Sequence, residues 1–205
     1  MHKRDYKLAL QTLQAQRLRR EHADLAAQPQ YRALGEFFFT EMYGPRDFTH
    51  RDEQARRLRQ FVNIVPGLAL KDVEPALMML DLTNRLDDEM VDKLIEMGEL
   101  VDFDEAAYER AYRLVDNYDV RMEQLELMRT ALYNVYRTAR KAFIGATLDR
   151  TEGLAHMTGM SEIHRFLKQG HHAIQSVKDI YHFVETIYVR EKDRLDRIYD
   201  QAAVS

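Results

Sequence analysis

Leu8, Leu10 and Leu13 begin a helical stripe over residues 3–26 that thins out through RLRREHAD, so the second half of that helix is expected in solvent. A second helix over residues 31–42 carries Leu34 and three consecutive phenylalanines, Phe37, Phe38 and Phe39, and Gly44 with Pro45 should stop it. Thr49 and Asp52 have the spacing of a capping box for a third helix running through Phe61, which VPG at 65–67 ends. In a fourth, Met79, Leu82, Leu86, Met90, Leu94 and Met97 recur at intervals of three or four, with Asp72 as the expected cap and Pro75 in the first turn. Asp81, Arg85, Asp88 and Asp92 occupy its other side, where Arg85 is spaced to pair with Asp81 and Asp88.

The longest run starts at Asp104 and keeps its period through Tyr108, Tyr112, Val115, Met122, Leu125, Leu132, Tyr136, Ala139 and Phe143, which predicts one central helix of about ten turns. Gly145, Gly153 and Gly159 then mark a looser stretch. Ser161 is placed to cap a helix over 161–175, and Ser176 with Asp179 to form a capping box for the last one. Seven or eight helices and no strand make an all-α fold, a single-domain bundle over residues 1–205 with helix 3–26 as the candidate peripheral element.

Composition narrows the chemistry. No cysteine is present, which removes thiol nucleophiles, iron–sulfur clusters and Cys-ligated zinc together. The N-terminal MHKRDYKLALQTLQAQ is charged where a secretory signal would be apolar, and no apolar stretch reaches about 18 residues, so a cytoplasmic protein with no membrane partner is expected. The net charge of −4 is unevenly spread: 12 Lys/Arg face 8 Asp/Glu in residues 1–60, 6 face 17 in 61–128, and 12 face 9 in 129–205. Basic flanks that neutralise an acidic middle within one bundle are the preferred reading, and an acidic face for a basic partner is the other.

Catalytic signatures are missing: there is no G-x-S-x-G, phosphate loop or dinucleotide fingerprint. Five of the eight histidines lie between residues 156 and 182. His164 and His171 share a helix face but stand roughly 10.5 Å apart along it, too far to chelate one ion, so no metal site is expected. RLRR at 17–20 and RRLR at 56–59 lack interleaved aromatics, and a pI near 6.1 argues against nucleic acid. In FFFTEMYGPRDFTHRD, residues 37–52, Arg46, Asp47, Arg51 and Asp52 crowd around Phe48, either as an ion-paired corner between helices or as an anion or partner site.

Phe37-Phe38, Tyr43-Gly44, Asp47-Phe48 and Arg51-Asp52 make an FF-x4-YG-x2-DF-x2-RD motif that resembles the opening of an uncharacterised bacterial all-helical family of the domain-of-unknown-function kind. Ala107-Tyr108, Ala111-Tyr112-Arg113, Arg121 and Gln124 are similar to that family's middle helix, and Phe166-Leu167, Gly170, Ala173, Phe183, Ile187 and Arg190-Glu191 to its last helices. Ile174, where the resemblance implies an aromatic, and the acidic DNYD at 116–119 depart from it. The resemblance implies a shared fold and no activity.

Two functions fit. The first is a non-catalytic adaptor or regulatory subunit that binds another protein or a second copy of this chain. The alternative is a helical-bundle enzyme or small-ligand or cofactor-binding protein of haem-oxygenase-like type, with a pocket bordered by Tyr108, Tyr112, Arg121, His164 and His171. No motif implies a cofactor, and no catalytic residue can be assigned.

Overall fold

Helical periodicity shapes every element of the computed structural model, which describes residues 2–42, 59, 60, 62 and 70–200. Among the described residues there are nine α-helices, one π-helical segment and no strand, the all-α bundle that the spacing predicts. In chain order they are α1 (Lys3–Glu21), α2 (Ala23–Ala27), α3 (Arg32–Glu36) running on as a π-helix over Phe37–Met42, and α4 (Leu70–Glu96). Then follow α5 (Glu105–Val115), α6 (Tyr118–Ala139), α7 (Phe143–Met157), α8 (Ser161–Gln175) and α9 (Tyr181–Asp200).

Several local expectations change. The run from Asp104 to Phe143 is two helices: Asp116 takes the left-handed conformation (φ 52°, ψ 49°), which a short polar side chain tolerates, and α5 stops there. The Asn117 side chain then donates to Glu89 (2.8 Å) and its backbone N–H to the Tyr199 hydroxyl (3.2 Å), fixing the corner. α4 is already helical at Leu70, so Asp72 is not its cap and Pro75 lies inside it, at the cost of one backbone hydrogen bond. Arg85 meets neither Asp81 nor Asp88: it approaches Glu89 at 3.8 Å, while Asp81 pairs with Arg59 and Asp88 with Lys7. Gly145 and Gly153 lie within α7, whereas Gly98 and Gly159, at φ 73° and 70°, end α4 and α7 in a conformation that suits glycine. Ser161 caps nothing, and Ser176 donates back to the Ala173 carbonyl at the end of α8. Asp179 alone receives the Tyr181 N–H at the start of α9 (2.8 Å). Gly44, Pro45, Thr49, Asp52 and VPG lie outside the described residues.

α6 is the hub, packing on α4, α9, α8 and α7, and α1 lies along α4. Two large apolar clusters form. One gathers Tyr31, Phe38, Phe39, Met128, Phe183 and Ile187, the other Tyr6, Leu10, Met90, Leu94, Tyr108, Tyr112, Leu195 and Ile198. Basic α1 also neutralises its acidic neighbours, through Lys3–Asp92 (2.6 Å), Lys7–Asp88 (2.6 Å) and Arg20–Glu105 (2.9 Å).

Candidate functional site

The second half of α1, expected in solvent, instead buries Arg17, Leu18 and, at its end, His22. Arg17 reaches across the bundle to α9, donating Nη2 to Glu191 at 2.8 Å and Nη1 to its other oxygen at 3.0 Å, while Glu21 accepts from Nη1 at 2.6 Å. His22, stacked on Phe39, holds the same Glu191 through Nε2 at 2.9 Å. One turn on, Arg194 donates to Glu109 (3.1 Å) and lies over the Tyr108 ring (5.4 Å). From α6, Arg121 stacks on Tyr112 at 4.3 Å and, among the described residues, makes two long bonds, to the Gln124 amide oxygen (3.3 Å) and the Leu86 carbonyl (3.4 Å). Gln124 is itself anchored on the Thr83 hydroxyl at 2.8 Å.

These side chains border a partly open cavity of about 80 Å³, lined by Arg17, Arg121, Arg194, Glu191, Asp87, Gln14 and Gln124 with Tyr108, Tyr112, Phe38 and Met128. Its apolar walls come from both large clusters, so the polar layer sits where the two halves of the core meet. Asp87, on α4, accepts from Gln11 (3.0 Å) and Gln14 (3.2 Å). The Nε atoms of Arg17, Arg121 and Arg194 are all buried without a hydrogen-bond acceptor, as is Nδ1 of His22. Folded chains satisfy most buried polar groups, so three unspent guanidinium donors around one cavity call for a physical reason.

Burial and neighbouring charge shift three of the groups. Burial opposes the charge on Glu191, but Arg17 and His22 outweigh it and bring the carboxyl from 4.5 down to about 2. Burial also disfavours charge on Arg17, and the field of Glu191 more than restores it, leaving the guanidinium above its ordinary value. Burial, reinforced by Tyr112, pushes the Tyr108 hydroxyl well above its ordinary range.

Residues 2–205 match the family described as domain of unknown function DUF8198. The chain belongs to that family. No curated protein and no solved structure matches it.

Of the residues singled out by sequence in this DUF8198 chain, Tyr108, Tyr112 and Arg121 come together in the cavity wall. His164 and His171 do not line it: they sit in the α7–α8 hairpin, where His164 Nε2 meets the Leu148 carbonyl at 2.7 Å and His171 Nε2 meets Gln175 at 3.1 Å. Arg46, Asp47, Arg51 and Asp52 lie outside the described residues. Phe37, which opens the phenylalanine motif, packs on Phe166 with ring centroids 5.1 Å apart and closes over Gly170, so the first and last motif blocks meet in space. Sequence reasoning did not place Arg17, Glu191 or Arg194 in a site, although Arg17 lies in the RLRR cluster and Glu191 in the last block of the resemblance. A signal was there: Gln11, Ala15, Leu18, His22 and Leu25 prolong the buried face of α1 at intervals of three or four, beyond the point where its leucines run out.

Proposed function

We propose that the protein binds a small molecule inside its helical bundle, in the cavity lined by Arg17, Arg121, Arg194, Tyr108 and Tyr112. One observation carries this reading: three arginines, each more than nine-tenths buried, line one cavity, and the Nε–H of each has no hydrogen-bond acceptor. Each such donor costs about 1–3 kcal/mol if left unmade. A constellation of that cost is typical of a site whose ligand completes it.

The titration pattern favours holding over turnover. Glu191 is an anion already committed to Arg17 and His22, and Tyr108 keeps its proton as a neutral donor. At about 80 Å³ the cavity is far below the roughly 300–1,000 Å³ of sites that take drug-sized molecules, so a small ligand fits and a haem-sized group does not. The adaptor reading ranks second, because its support was segregated charge, and α1 offsets part of that charge within the chain through its ion pairs with α4 and α5.

Native mass spectrometry of gently purified protein, followed by a thermal-shift screen against metabolites, tests the proposal. A small bound mass at one per chain, or a saturable rise in melting temperature, is expected. Neither appearing with any compound would sink it.

A further inference from the structure

The other buried arginines have carboxylates at hand. Arg17 is paired with Glu191 and Glu21, and Arg194 with Glu109. Arg121 forms no ion pair among the described residues, although it is only 3% exposed. Its five N–H groups make two bonds, both long and both to neutral acceptors, so three donors and a full positive charge stay unspent. The guanidinium plane is held from below by the Tyr112 ring, and Gln124, braced by Thr83, fixes one corner. These contacts fix the guanidinium in the cavity wall, and a planar cation so held suits an oxyanion better than a neutral ligand.

A buried cation without an ion-pair partner is costly, and the carboxylates that share its cavity are engaged elsewhere, Asp87 by Gln11 and Gln14 and Glu191 by Arg17 and His22. With liquid water occupying about 30 Å³ per molecule, a cavity of about 80 Å³ holds roughly three waters, or one anion of about four or five heavy atoms. From this we infer that the ligand is a small oxyanion, a short carboxylate or free phosphate, which takes Arg121 as its counter-charge. The inference rests on the small-ligand reading above and adds the ligand's chemistry.

The test is thermal melting of the full chain at fixed ionic strength, titrated with sodium acetate or inorganic phosphate against sodium chloride. One oxyanion should raise the melting temperature saturably by several degrees, and which of the two does so identifies the source. Arg121→Met should abolish that rise while melting above the wild type in chloride, since it removes an unpaired buried charge. Arg121→Lys, which keeps the charge without the planar guanidinium, should weaken the apparent affinity at least tenfold. An oxyanion shift that persists in these variants, or Arg121→Met melting below the wild type, shows Arg121 to be structural and overturns the inference. A cavity that accepts only neutral or cationic compounds overturns the oxyanion assignment and leaves the small-ligand reading standing. No saturable response to any compound overturns both.

Discussion

Glu191 accepts hydrogen bonds from Arg17 through both oxygens and one more from His22, which ties α9 to the end of α1. Removing one member of such a buried set strands the rest, so Glu191→Gln should lower the unfolding free energy by about 3–5 kcal/mol, measured by urea denaturation at pH 7. The same group sets an acid limit. Its folded pKa lies below its ordinary value, so its contribution is complete above pH 4.5 and is lost as the pH falls toward about 2. Across that window the wild type should lose on the order of 3 kcal/mol through this group alone. Equilibrium unfolding at pH 5, 4 and 3 should show the loss, and the Gln variant should show a shallower slope.

Elements in this bundle depend on a few end residues and close approaches. Asp104 caps α5, its carboxylate accepting from the Ala107 N–H at 2.8 Å, so Asp104→Ala should cost about 1 kcal/mol in the same assay. Gly35 on α3 lies against α2, where an added Cβ would come within 2.8 Å of the Ala26 Cβ and 3.1 Å of its Cα. Because backbone must move to make room, Gly35→Ala should destabilise by about 1–3 kcal/mol, read as a lower melting temperature. Most of these helices are legible from spacing, since the apolar period of α4, α6 and α9 is set by burial itself. The break at Asp116 is not, because the run either side keeps its period and a left-handed residue other than glycine leaves little trace in sequence. Caps were misread where a serine had a nearer use: Ser176 satisfies a carbonyl at the end of one helix and does not open the next.

At the scale of the molecule, two apolar clusters meet across a polar layer to which α1 supplies Gln11, Gln14 and Arg17. A chain lacking residues 1–28 would therefore lose a wall of the cavity and uncover Leu86, Met90 and Val91 on α4. It should show a weak near-ultraviolet circular dichroism signal and a broad, uncooperative thermal transition, where the full chain gives a sharp one. Half of the candidate site was legible in the sequence. Tyr108 and Tyr112 belonged to the periodic stripe and Arg121 to the block that carries the family resemblance, and the three share the cavity wall. Arg17 and Glu191 were not legible as a pair, because a charged residue near the end of a helix looks the same whether its partner is water or a carboxylate 174 positions away.

The sealed Nε–H groups of Arg17, Arg121 and Arg194 also give the molecule its own spectroscopic reporters. Protons kept from bulk water exchange slowly, so these three should stand out as sharp side-chain resonances in proton–nitrogen correlation spectra while solvent-facing guanidinium signals broaden away. Whatever enters the interior should displace the Arg121 resonance most, which allows occupancy to be followed without a label or a dye, even for a guest of undetermined structure.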